Sequence, residues 1–268
     1  AQLLIAIISY VSYSLIDNWL PAGSGLGGRA LYAFLIIVPS TIFIGATYPL
    51  AVRIATTRAD DTASISGSIY AWNTLGAIIG ALLTGFIILP SLGFGPTLKV
   101  AMIVSVSLAM LVAFFAKPRQ SPVLATSVAV LLAIAFLVFP ARPDGLIYSH
   151  VASQDEWGKE HFYAVGRSAT ILMREVDGFI QLSSNGLSES SVGRQGMPPY
   201  NLSQKWLSGL PALARPEATS MLVVGYGGGV AVEGVPPHVQ DVDVIELEQM
   251  VIRANQAVAP LRGLDPLA

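Results

Sequence analysis

Met221-Leu-Val-Val-Gly-Tyr-Gly-Gly-Gly-Val-Ala-Val-Glu233 is the stretch on which the reading of this chain turns. A short apolar run enters a turn with glycine at Gly225, Gly227 and Gly229, and a modest helix follows as far as Pro236-Pro237. Val242-Asp-Val-Ile-Glu246 then reads as a second strand and residues 248–258 as a helix. Strand, helix, strand, helix is the opening of a doubly wound parallel sheet. Glycines at such a turn allow backbone N–H groups to come close to a ligand. Glu246 ends the second strand about twenty residues on, where a carboxylate can accept hydrogen bonds from both hydroxyls of a ribose. The alternative is a tight strand-to-helix turn with Glu246 merely solvated, but three glycines in five positions exceed what such a turn needs. At this level NAD and S-adenosylmethionine fit equally well.

Upstream, Arg167-Ser-Ala-Thr-Ile-Leu-Met-Arg174 alternates, and Gly178-Phe-Ile-Gln-Leu-Ser183 follows Asp177-Gly178. The pattern predicts a β-hairpin, with Asn185-Gly186 marking the next tight turn. Residues 202–213 are helix-like, with Trp206, Leu207 and Leu210 on one face.

Further upstream the composition changes. The chain has 268 residues, 53% hydrophobic and only 12% charged, whereas a soluble domain carries roughly 25% charge. Only nine charged side chains fall in residues 1–140: Asp17, Arg29, Arg53, Arg58, Asp60, Asp61, Lys99, Lys117 and Arg119. Five apolar stretches occupy that half, at about residues 1–16, 30–52, 65–89, 98–116 and 122–139. The last four approach the roughly 20 residues that cross a hydrocarbon core. Pro39 and Pro49 fall in or at the end of the second, where a neighbouring helix must satisfy the freed backbone groups. In the third, Gly76, Gly80 and Thr84 form a small-residue stripe suited to close helix packing, and Asn73 is a polar side chain near one end. No acidic residue lies within a span, which counts against a proton-coupled or cation-coupled carrier. Basic residues favour one face only by four to three, too narrow a margin to orient the chain.

Other chemistry is argued against by composition. A formal charge of −2 supplies no electrostatic footprint for nucleic acid. The absence of cysteine removes disulfides, thiolate metal sites and a cysteine nucleophile. His150, His161 and His238 have no metal-ligand spacing, so no metal is expected. The chain starts within an apolar run, without Met or a basic leader, and stops shortly after the second helix of the α/β unit, so we expect an internal fragment of a longer protein.

Gly45-Ala-Thr-Tyr-Pro-Leu50 and Tyr70-Ala-Trp-Asn-Thr-Leu-Gly-Ala77 resemble membrane-fused spermidine synthase-like proteins of the polyamine aminopropyltransferase family. So do Asn185-Gly-Leu-Ser-Glu189, Leu210-Pro-Ala-Leu213 and Val223-Val-Gly-Tyr-Gly-Gly-Gly229, in the family's order. The resemblance implies decarboxylated S-adenosylmethionine as donor (or S-adenosylmethionine itself) and a small amine such as putrescine as acceptor. It places Gly225, Gly227, Gly229 and Glu246 in the donor site. Soluble members carry an aspartate within the glycine turn, where this chain has Gly228. They also carry an Asp-Glu pair and a Tyr-x-Glu before the Leu-Pro, where this chain has Pro199-Tyr200 and Ser203-Gln-Lys205. A lysine there would repel a dicationic amine. The family's catalytic aspartate is expected beyond residue 268, so the segment alone should be inactive.

The expected fold is thus a multi-span α-helical membrane region, then a small β-region, then a truncated α/β Rossmann-like domain of the S-adenosylmethionine-methyltransferase type. The boundaries are 1–140, 141–216 and 217–268. The expected function is a membrane-tethered, spermidine synthase-like transferase. The alternatives are a membrane carrier with a regulatory or inactive nucleoside-binding domain and an S-adenosylmethionine-dependent methyltransferase. The bilayer and the small amine are the expected partners, and a homo-oligomer is left open. Because such donors are cytosolic, the soluble half is placed on the cytoplasmic side of the inner or plasma membrane.

Overall fold

Long apolar runs with little charge can satisfy their own backbone only as helices, and the N-terminal half does so. The computed structural model describes residues 1–18, 25–115, 142–148, 156–195 and 202–263. Contacts divide the chain into two compact units, Ala1–Leu146 and Ile147–Ala268.

The first unit contains α1 (Gln2–Asn18), α2 (Leu26–Ala55), a 3₁₀ turn (Ala59–Asp61), α3 (Thr62–Leu83), α4 (Leu89–Leu92) and α5 (Phe94–Phe115). A π-helical turn, Thr84–Ile88, joins α3 to α4. It ends two residues before Pro90, which has no N–H to continue the regular ladder. Leu26–Ala55, Thr62–Leu92 and Phe94–Val112 are long and apolar enough to cross a membrane by length and composition. They match the second, third and fourth predicted stretches. The first is the shorter helix α1, and the fifth, 122–139, lies outside the described residues. Leu35, Ile79 and Leu111 stand exposed, as lipid-facing side chains do.

Between α1 and α2, Ser12 Oγ donates to Ile36 O at 3.1 Å. The carbonyl that Pro39 frees is that of Leu35, one position before this contact. Tyr48 Oη lies 2.7 Å from Ser66 Oγ and ties α2 to α3. The small-residue stripe is different: a Cβ on Gly76 or Gly80 would have nothing within 4 Å. Among the described residues no helix packs on it.

The short helix α6 (Asp144–Ile147) ends on the first residue of the second unit, which contains a four-stranded antiparallel meander in the order β1-β2-β3-β4. The strands are Lys159–Val165, Thr170–Val176, Phe179–Ser184 and Leu187–Val192. The hairpin expectation holds for a backbone reason. Asp177 and Gly178 have φ of 52° and 81°, and Asn185 and Gly186 have 50° and 79°. Left-handed pairs of this kind match the strand twist, and Asn, Asp and Gly adopt them most readily.

Helix α7 (Leu202–Ala214) precedes β5 (Ser220–Val224), α8 (Val230–Glu233), β6 (Asp241–Ile245) and α9 (Gln249–Arg262). β5 and β6 pair in parallel, Val224 opposite Ile245. Ile171, Met173, Ile180 and Leu182 of the meander share a buried core with Tyr226, Val251, Ala254 and Val258. That shared core seats the glycine turn against the meander. Helix α7 forms as expected, with Trp206, Leu207 and Leu210 exposed among the described residues and Ser208 and Ala212 as the buried positions. Small side chains let α7 approach α8 closely: Ser208 Oγ donates to Ala231 O at 2.6 Å, and a Cβ on Gly234 would lie 2.7 Å from Lys205 O.

Candidate functional site

The turn after β5 is built from left-handed glycines. Gly225, Gly227 and Gly229 have φ of 85°, 53° and 73°, a region that side-chain-bearing residues rarely adopt. Gly225 N donates to Ile245 O at 2.8 Å and so fastens the turn to the end of β6. Gly225, Gly227 and Gly228 line a cavity of about 530 Å³ that Glu246 also lines. A Cβ at Gly225 or Gly227 would meet nothing within 4 Å, so this backbone faces open space. Gly229 departs from its expected place: it does not line the cavity. It caps α8, donating from its N–H to Tyr226 O at 2.8 Å and accepting from Glu233 N at 3.0 Å.

Glu246 bridges the turn and the next helix. Its Oε2 accepts from Tyr226 N at 2.8 Å and its Oε1 from Glu248 N at 2.9 Å. A carboxylate has about four lone-pair sites, so acceptor capacity remains for a ligand hydroxyl. Two residues on, Glu248 is buried at 6% exposure. Its Oε1 caps α9 by accepting from Met250 N at 3.0 Å. Its Oε2 accepts from Ser168 N and Ser168 Oγ, both at 2.8 Å, and from Ala169 N at 3.3 Å. Burial by itself would raise the pKa of Glu248, but these donors hold its carboxyl below the ordinary value. Any side chain on Gly166 would land on this carboxylate, so a glycine in the β1–β2 turn makes the contact possible.

The upstream wall comes from β4 and α7. Glu189, Ser190, Gln204 and Leu207 line the cavity, and Ser190 Oγ donates to Gln204 Oε1 at 2.9 Å. Lys205 does not line it. Its Nζ lies 3.4 Å from Glu233 Oε2, which does not line the cavity either. Pro199-Tyr200 lies outside the described residues. At Gly228, a Cβ would land on Ser190 Oγ and come within 3.0 Å of Val192 Cγ2. Beta-strand β4 thus occupies the space an aspartate side chain would need.

Behind the turn, α9 adds contacts that the sequence did not reveal. Asn255 Nδ2 donates to Gly227 O at 2.8 Å, and Arg262 Nη1 donates to Gly228 O at 2.9 Å. Arg262 Nη2 also pairs with Glu233. Glu248 was also absent from the predicted site, although the Glu246-Leu-Glu248 spacing was a usable signal: two acids two residues apart at a strand end. His161 lies away from this cavity, with its Nε2 3.0 Å from Glu175 Oε2, and His238 is exposed. Among the described residues no group of three His, Cys, Asp or Glu is placed to hold a metal.

The chain is similar to polyamine aminopropyltransferase 1 of Streptomyces coelicolor (strain ATCC BAA-471 / A3(2) / M145). The two are 27% identical over 288 residues, covering 95% of this chain and 51% of the relative. The chain thus spans about half the length of that curated protein. No family model matches, and no solved structure matches. The similarity relates this chain distantly to a spermidine synthase-like transferase, and it runs through both the apolar helices and the sheet-containing unit.

Proposed function

We propose that the full-length protein is a membrane-tethered aminopropyltransferase that uses decarboxylated S-adenosylmethionine and a small amine such as putrescine. The observation that carries this reading is the open cradle of Gly225 and Gly227 beside the Glu246 carboxylate. The distant similarity to an aminopropyltransferase supports it. In this reading the unit of β5, β6, α8 and α9 opens a Rossmann-like domain, and Glu246 accepts from the donor's ribose hydroxyls. The amine nitrogen forms a bond to the propyl carbon beside the sulfonium, the C–S bond breaks, and methylthioadenosine leaves as a neutral thioether. The attacking amine gives up one proton. Protein groups contribute by holding the two reactants in line and excluding water. The apolar helices anchor the enzyme in the bilayer, and the soluble unit faces the cytoplasm, where such donors are made.

A second reading, methyl transfer from ordinary S-adenosylmethionine, is favoured by Gly228. With Ser190 and Val192 packed there, no carboxylate on the turn repels the carboxylate that ordinary S-adenosylmethionine carries and its decarboxylated form lacks. Calorimetry of the full-length protein with both nucleosides, then with putrescine, separates the readings. Binding of the decarboxylated donor with turnover on putrescine is expected. Binding of the ordinary donor alone favours methyl transfer, and binding of neither overturns both. A reporter fused after residue 268 tests orientation, and an external signal would overturn the cytoplasmic placement.

A further inference from the structure

We infer that Asn255 and Arg262 are positioning residues that set the glycine turn for its donor. The inference rests on the nucleoside-binding reading above. Three left-handed glycines in five residues leave a turn with many accessible conformations, and a ligand that selects one must offset the entropy of ordering the rest. Two consecutive carbonyls of this turn are already held from behind. Asn255 Nδ2 takes Gly227 O, and Arg262 Nη1 takes Gly228 O.

Peptide planarity converts that hold into an orientation. In a trans peptide the C=O and N–H point to opposite sides. Fixing Gly227 O on α9 therefore turns Gly228 N–H away from α9. That N–H has no hydrogen-bond partner among the described residues, and Gly228 lines the cavity. The next peptide, whose carbonyl Arg262 holds, directs its N–H back to Tyr226 O and closes the turn.

The clamp itself is fixed by satisfied partners. Asn255 is 2% exposed. Its Oδ1 accepts from Arg262 Nη1 at 2.9 Å, and its Nδ2 also donates to Val251 O at 2.8 Å, which leaves one amide orientation that suits every neighbour. Arg262 is buried and its charge is matched by Glu233, which Lys205 also approaches. The line from Lys205 through Glu233 and Arg262 to Asn255 ends on the two glycine carbonyls.

Asn255→Asp tests this with little change of volume. It keeps the oxygen that faces Arg262 and puts an oxygen where Gly227 O needs a donor. In the full-length protein, calorimetry with S-adenosylmethionine and its decarboxylated form should show about tenfold weaker binding. Hydrogen exchange without nucleoside should quicken at residues 225–230 and stay unchanged at 171–182. Should Asn255→Asp not fold, Arg262→Lys decides. It keeps a charge but lacks the fork whose Nη2 pairs with Glu233 while Nη1 serves Gly228 O and Asn255, so it should also bind weakly. Wild-type protein that binds neither nucleoside overturns the donor reading itself. Wild-type binding with unchanged affinity in the variants overturns the clamp, and so does exchange that quickens equally in the meander core.

Discussion

In α2, α3 and α5 the large apolar side chains face outward, and the hydrogen bonds are those of single helices with a few links between neighbours, such as Ser12 to Ile36. In the C-terminal unit the important bonds join distant parts of the chain: Glu248 to Ser168, 80 residues apart, and Arg262 to Gly228, 34 apart. A helix in lipid satisfies its own backbone, so composition largely decides it. A turn that must hold a ligand has carbonyls and amides that secondary structure leaves over, and only side chains from other elements can take them. One region is therefore sensitive to polarity anywhere along its length, and the other to a few atoms.

The largest expected effect probes the first half of that contrast. Ile78→Lys, in the middle of α3, should cost about 3 kcal/mol of membrane insertion. Insertion assayed in microsomes reads it, and an unchanged inserted fraction would break the membrane side of the comparison. Glu248→Ala should destabilise the C-terminal unit by about 2 kcal/mol, because it strips acceptors from the amides of Ser168, Ala169 and Met250. Chemical denaturation followed by tryptophan fluorescence measures that loss.

The same carboxylate makes a pH prediction. The folded-state pKa of Glu248 lies below the ordinary value. Its stabilisation is therefore complete above the unfolded carboxylate pKa of about 4.3 and is lost as pH falls through the lower folded value. The stability difference between wild type and Glu248→Gln should be constant near neutrality and shrink below about pH 4. A difference that grew on acidification would contradict the assigned partners.

Glu246→Gln should weaken nucleoside binding about tenfold, since it halves the acceptors available to Tyr226 N, Glu248 N and a ribose. Gly225→Ala is the smallest. At φ of 85° it should cost about 1 kcal/mol of stability while leaving the cavity wall open. Equal thermal midpoints for the two proteins would mean that the turn relaxes to another conformation.

Much of the fold was legible because its causes are local. Asp177-Gly178 and Asn185-Gly186 announce left-handed turns through the sterics of their own residues. Three apolar runs are long enough to span a bilayer by counting alone. Gly225, Gly227 and Glu246 were legible as a set because strand, turn and strand end follow each other in sequence. The rest was hidden by distance. Gly229 looks equivalent to its two neighbours until α8 starts on it, and the pairing of Lys205 with Glu233, 28 positions on, has no local signal. The buried side of α7 was hidden too, because small residues, not large ones, govern how closely it meets α8.

What the sequence determined by itself was the division into apolar helices and a strand-bearing unit, and the place of the glycine turn. Bilayer thickness and backbone sterics act within a few residues, so spacing reports them. What only the tertiary structure decided was which groups hold that turn. Asn255 and Arg262 reach Gly227 and Gly228 because the shared core packs α9 behind the turn. A hydrogen bond depends on a few tenths of an ångström between elements whose relative position no local pattern encodes.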